Sequence, residues 1–392
     1  MKIDTDPIKI NELLTRGVAE IIHEESLRKK LESGKQLRIK LGIDPTSPNI
    51  HIGRAIPLLK LRDFQELGHQ VVFIVGDFTS VIGDTSDKDS ERPMLDRDVI
   101  EANKKTYFAQ VGKILDLEKA ELRYNSEWLE ELTYREIGEH ADVFSVADFI
   151  ARDNIKRRLD SGKRVSLREV LYPLMQGYDS VAVEADVEIG GTDQRFNLLA
   201  GRTLQPRFDQ KPQDILMSPL INGTDGRKMS SSWGNTINLV AEPEDMYGSV
   251  MSMADAEIVG YFTTCTRVPL SEVKEIEEAM QSGTNPRDLK MRLAREIVTM
   301  YHGEKEAKEA EQAFVETFQK GGVPEEVEEI SGDYTAALLE KNMVASKTEL
   351  RRLFEAGGVR NAETGEKYDE FPTVTEPTVL KIGKRRFVKL LP

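Results

Sequence analysis

The chain has 392 residues, 39% hydrophobic and 31% charged, which is enough for two or three packed domains and too apolar for disorder throughout. Its single cysteine, Cys265, excludes an internal disulfide and a cysteine-built zinc cluster, and its five histidines lack a ligand spacing such as HExxH, so no protein-bound transition metal is expected. The net charge of −14 argues against nucleic acid as a partner of the whole surface, yet residues 333–392 carry 11 Lys/Arg against 9 Asp/Glu, a sign change that marks a separate module.

Helical periodicity opens the chain at Ile10, Leu13, Leu14, Val18, Ile21 and Ile22, and LRIKLGI at 37–43 then alternates as a strand. DPTSPN reads as a turn. Ile52, Ile56, Leu59, Leu61 and Phe64 have helical spacing closed by Gly68, and QVVFIVGDF is the unbroken apolar run of a strand buried on both faces. Strand, helix and strand within about 40 residues make a βαβ unit, so the fold class is α/β, a Rossmann-like doubly wound parallel sheet. Residues 95–165 are charged and helical in pattern and read as a helical insertion. After Asn235 the signals are helical up to KGGVPEEVEEISGD at 320–333, which reads as a linker. The expected domains are thus 1–235, an all-helical 236–325 and a small basic 333–392. No run of roughly 20 apolar residues could span a bilayer, and MKIDTDPIKINELL has no signal-peptide core, so the expectation is a cytoplasmic protein with no membrane partner.

Three segments carry chemistry. In GIDPTSPNIHIGRAIPLLKL, a histidine followed two residues later by glycine at a helix start suits a polyphosphate, although for this pair alone His51 as a helix cap and Gly53 as a packing site are the commoner explanation. In DGRKMSSSWGN, Lys228 stands on a glycine-flanked loop that could bring a charge onto phosphates or could be a solvated surface loop. Between them, Tyr172, Gln176 and Asp179 recur at i, i+4 and i+7, which puts them on one helix face where they could line a pocket or be ordinary half-buried residues.

Together, and in this order, the first two segments resemble the HIGH and KMSKS signatures of class I aminoacyl-tRNA synthetases. LYPLMQGYDS with GGTDQ resembles the tyrosine pocket of the tyrosyl-tRNA synthetase family, distinct from the tryptophan branch, and SKTELRRLFEAGGV with KIGKRRFVKLLP resembles the S-four RNA-binding domain that ends many bacterial members. The resemblance covers nearly the whole chain. It implies activation of L-tyrosine by ATP, carried with Mg²⁺ as a substrate complex and with no tightly bound cofactor, followed by transfer to the 3′ end of tRNA(Tyr). Carried over residue by residue, it puts Thr46, His51 and Lys228 on the phosphates, Gly53, Arg54, Gly191, Asp193 and Ser231 on ATP, and Asp193 on the ribose. Asp84, Tyr172 and Gln176 fall on the substrate ammonium, Asp179 on its hydroxyl and Gln194 near its carboxylate. Asp44 is either a substrate-site residue or a turn former.

Two positions depart from the family pattern. Arg54 replaces the second histidine of HIGH, and Ser231 replaces the second lysine of KMSKS, for which Arg227 or a monovalent cation is the expected substitute. Lys40 stands where one branch has a tyrosine that contacts the substrate hydroxyl. The resemblance also assigns 236–325 to anticodon binding and Lys347, Arg351, Arg352, Lys384, Arg385 and Arg386 to tRNA, and it makes the insertion a homodimer interface. Rival readings are a tryptophan enzyme and a catalytically silent paralogue that binds RNA only.

Overall fold

The computed structural model describes residues 2–85, 94–319, 327–341, 343–344, 346–362, 364–383 and 386–392. They divide into two compact units, 1–304 and 305–392. Unit 1 is built on a six-stranded sheet: β1 (Glu20–Ile22), β2 (Arg38–Ile43), β3 (Gln70–Val75), β4 (Glu121–Tyr124), β5 (Val187–Gly191) and β6 (Asp214–Ser218). Their order is β1-β6-β5-β2-β3-β4, parallel throughout except for β1, which runs antiparallel to β6.

The helix Ile52–Glu66 crosses from β2 to β3, and Val71 to Val75 of β3 are fully buried, as a strand covered on both faces requires. After β4 the chain crosses to the far side of β2 and begins β5, so the strand order reverses between β2 and β5. In doubly wound sheets ligands bind outside the carboxyl ends of the strands at this reversal. Here those ends are Gly42 to Asp44 and Gly190 to Asp193.

Two segments differ from the sequence reading. The opening helix stops at Thr15, because Gly17 takes φ +58°, and Ile21 and Ile22 go into β1 at the sheet edge. The stretch 95–165 is not helical throughout, since it contains β4, a half-buried strand paired to β3. The helices between Pro243 and His302 group with the sheet in unit 1. No helix of the described residues is long and apolar enough to cross a membrane.

Unit 2 contains a second sheet in the order β7-β10-β9-β8, made of β7 (Glu328–Ile330), β8 (Val359–Asn361), β9 (Thr378–Ile382) and β10 (Arg386–Leu390). The helices Tyr334–Glu340 and Lys347–Glu355 supply Leu338, Leu350 and Phe354 to a core with Ile330, Leu380, Ile382 and Val388. β7 lies inside the stretch read as a linker, so the tail's sheet begins before residue 333, while 320–326 lie outside the described residues.

Candidate active site

A cleft of about 550 Å³ opens at the strand reversal, within the range of small-molecule sites. Thr46, His51, Gly53, Arg54, Asp84, Tyr172, Gln176, Asp179, Gly191, Asp193, Gln194, Lys228 and Ser231 all line it, as does Asp44. Residues 46 to 231 therefore meet in one cavity, as a shared site demands.

One end of the cleft is built by the helix Leu167–Ala182, whose capping box of Ser166 and Glu169 sets its start. It packs tightly on Arg195–Leu204, since a Cβ on Gly177 would stand 3.0 Å from the Ala200 backbone. Tyr172, Gln176 and Asp179 then face the cavity together. Asp179 accepts from Trp128 Nε1 at 2.8 Å and from Asn125 Nδ2 at 3.3 Å. Burial pushes its carboxyl up to about 7, although Lys40, Trp128 and Asn125 oppose the shift. Tyr172 donates to Asp44 Oδ2 at 2.9 Å and Thr79 to Asp44 Oδ1 at 2.7 Å, and burial raises Asp44 to about 6. Asp44 also forms the turn, its carbonyl accepting from Thr46 N, while its side chain lines the cleft. Gly76 is needed here, because a Cβ would overlap Asp44 Oδ1 and Thr79 Oγ1. Asp84 accepts from Gln194 Nε2 at 2.7 Å, and Gln194 Oε1 accepts from Asn197 at 2.8 Å, so that amide holds Asp84 in place.

The other end is the start of Ile52–Glu66. His51 caps it, Nδ1 accepting from Arg54 N at 3.3 Å, and the same imidazole lines the cleft. Burial, then the Arg54 and Lys228 charges, lower it to about 3, so it is neutral at ordinary pH. With Nδ1 accepting, its proton sits on Nε2. The fit at Gly53 is close: a Cβ would lie 3.1 Å from His51 Nδ1 and 3.3 Å from Met229 Sδ. At Gly191 it is closer, since a Cβ there would stand 2.6 Å from Asp193 Oδ1 and the carboxylate would have to shift. Lys228 Nζ pairs with Asp193 Oδ2 at 3.0 Å, and Ser231 Oγ lies 3.4 Å from Ser47 Oγ.

Arg54 is held by three bonds, Nη1 donating to the Asp44 carbonyl and to Tyr107 Oη at 3.1 Å each and Nη2 to Thr46 Oγ1 at 3.0 Å. It therefore organises the Gly42 to Thr46 turn as well as facing the cavity. Arg227, the expected substitute for the missing loop lysine, is paired with Asp225 (Nε to Oδ2, 2.7 Å) and stacked 4.9 Å from the Trp233 ring, and the cleft lining does not include it.

Thr79, Asn125 and Trp128 were not found by sequence reasoning, nor was Gly76. Gly76 and Asn125 directly follow β3 and β4, and residues just past parallel strand ends line the crevice; recognising ELRY as a strand would have exposed Asn125. Trp128 carries no local signal.

In unit 2, Lys347, Arg351 and Arg352 lie exposed on the helix Lys347–Glu355. Arg386, its side chain 38% exposed, donates to Glu349 Oε1 at 2.8 Å and to the Met343 carbonyl. Lys384 and Arg385 lie outside the described residues.

The profile of the family tRNA synthetases class I (W and Y) matches residues 32–319. The tyrosine–tRNA ligase of Thermotoga maritima is 44% identical over 387 residues, covering 96% of each chain, and that of Moorella thermoacetica is 45% identical over 401 residues, covering 99% of this chain and 97% of the relative. Among solved structures, a C-terminally truncated mitochondrial tyrosyl-tRNA synthetase of Coccidioides posadasii superposes with TM-score 0.63 at 25% identity over 78% of this chain and 91% of that one. The Archaeoglobus fulgidus enzyme complexed with L-tyrosine gives 0.63 at 23% identity over 79% and 100%, which speaks for the fold alone. The chain belongs to the class I tRNA synthetases and, within them, to the tyrosyl-tRNA synthetase family.

Proposed function

We infer that this chain is a tyrosine–tRNA ligase: it joins L-tyrosine to ATP as tyrosyl-adenylate with release of pyrophosphate, then passes tyrosine to the 3′ end of tRNA(Tyr). The observation that carries the reading is that Asp179, a buried carboxylate, shares one cleft with His51 and Lys228.

In the first step the tyrosine carboxylate attacks the α-phosphate, and the bond to pyrophosphate breaks. Alignment and electrostatics do most of this work. Asp179 accepts the phenol hydroxyl, Asp84, Tyr172 and Gln176 take the ammonium, and Gln194 stands near the carboxylate. Thr46, neutral His51 through its Nε2–H, Arg54, Lys228 and Ser231 face the polyphosphate, which arrives with Mg²⁺ as its substrate complex. Asp193 accepts from the ribose beside Gly191, and Gly53 lets the adenosine near the helix start. In the second step the terminal ribose hydroxyl of the tRNA attacks the acyl carbonyl and AMP leaves.

The tRNA contacts we assign to 236–325 for the anticodon and to an S-four-like 333–392, supported by exposed Lys347, Arg351 and Arg352. Arg386 ties β10 to the same helix through Glu349. The insertion carries exposed apolar side chains, Tyr134 at 96%, Val146 and Leu159 among them, which favours a second copy of the chain as its cover in a cytoplasmic homodimer.

ATP–pyrophosphate exchange with each amino acid tests the reading. Exchange with tyrosine alone is expected, whereas exchange with tryptophan alone, or RNA binding without exchange, overturns it. The raised Asp179 adds a pH signature. Its carboxyl is protonated below about 7 and ionised above, and the phenol donates best to the ionised form. Tyrosine affinity should therefore weaken as pH falls through that value, and binding isotherms of Asp179→Asn, weaker throughout, should lose this dependence.

A further inference from the structure

Behind the cleft, where β2 and β5 meet, Lys40 and Glu188 are register partners on adjacent strands. Their side chains are 0% and 1% exposed and form an ion pair at 2.8 Å. Lys40 Nζ also donates to the Gln176 carbonyl at 2.9 Å and to Ser180 Oγ at 2.8 Å, so its three protons are all used. Glu188 Oε1 accepts from Lys40 and from Gln176 Nε2 at 3.2 Å, and Oε2 accepts from Ser180 Oγ at 3.0 Å and from Gln213 Nε2. The carboxylate is thus surrounded by four donors, which is all it can accept.

A buried ion pair is a poor way to gain stability, because desolvation of the two charges offsets their attraction. What this one supplies is direction. An ionised carboxylate accepts and never donates, so the end of Gln176 turned to Glu188 must be its NH₂. The carbonyl oxygen is the end left for the cavity that Gln176 lines. The reverse orientation would set two acceptors against each other behind the cleft and aim an NH₂ at any incoming cation.

We propose that Glu188, held by its counter-ion Lys40, is a positioning residue that determines specificity for the amino group of the substrate, by locking Gln176 with its oxygen toward the cavity. This rests on the cleft being the tyrosine site. It names the feature that distinguishes a ligand with a protonated amine from the same phenol without one. At Asp179 the two charges act in opposite directions, Lys40 opposing its burial and Glu188 adding to it, so the pair's role lies at the Gln176 end.

The test is calorimetric binding of tyramine, which has phenol and ammonium, and of 3-(4-hydroxyphenyl)propionate, which lacks the amine, to the full-length protein. Glu188→Gln keeps the shape but lets the Gln176 amide turn over. Tyramine should weaken by about tenfold to a hundredfold, the scale of a hydrogen bond to a charged group, while the propionate changes by less than about twofold. Lys40→Met with Glu188→Gln strands no ion, and it should show the same selective loss. Equal weakening of both ligands, or of neither, overturns the assignment. A wild-type protein that binds neither ligand, nor tyrosine itself, overturns the tyrosine reading and this assignment with it.

Discussion

Asp179→Ala should lower kcat/KM for tyrosine in ATP–pyrophosphate exchange by about tenfold to a hundredfold. The phenol gives up a hydrogen bond to a charged partner, about 1.5–3 kcal/mol, and each 1.4 kcal/mol is a factor of ten. The Trp128 and Asn125 donors that held the carboxylate are stranded in the free variant and in its complex alike, so their cost lowers the melting temperature and cancels from the kinetics. The preference for tyrosine over phenylalanine should collapse in the same variant, because phenylalanine strands nothing once the carboxylate is gone. Tyrosine enzymes are themselves the standing example of such discrimination, at roughly 10⁵, and that magnitude is carried over rather than calculated for this cleft. Unchanged tyrosine kinetics would remove Asp179 from the phenol site.

Lys228→Ala should reduce the activation rate by about 10² to 10³, the usual loss when one preorganised charge-stabilising group is deleted. Its signature is a fall in kcat with the tyrosine dissociation constant unmoved, since the lysine would act on phosphate charge as pyrophosphate departs. With Ser231 in the place of a second lysine, and Arg227 paired to Asp225 outside the cleft, Lys228 is the loop cation left to do this, so the loss should sit at the upper end of that range. Single-turnover adenylate formation would measure it, and a change confined to tyrosine binding would refute the role.

The helix face of Tyr172, Gln176 and Asp179 and the β2–helix–β3 unit could be read in advance because both are local: a fixed spacing is enough to set which side chains align. The two edge strands could not. β1 is three residues long and continues the apolar spacing of the helix before it. In β4, Glu121 and Arg123 are half-buried and paired with Arg38 and Glu127, so an edge strand of the sheet looks like charged surface. Missing β4 concealed Asn125 and Trp128. The buried pair of Lys40 and Glu188 was hidden for another reason. A lysine inside LRIKLGI looks like the outward side of an alternating strand, and only pairing with a residue 148 positions away makes it interior. Contacts between distant residues are what periodicity cannot encode.

The pairing of Lys228 with Asp193 ties the glycine-flanked loop to the turn after β5. A carboxylate has room for more than one donor, so the nucleoside that we propose for Asp193 joins the lysine there and leaves the tether in place. Sugar and loop then share one anchor, and the loop's charge is delivered beside the nucleotide because both are fastened to the same side chain.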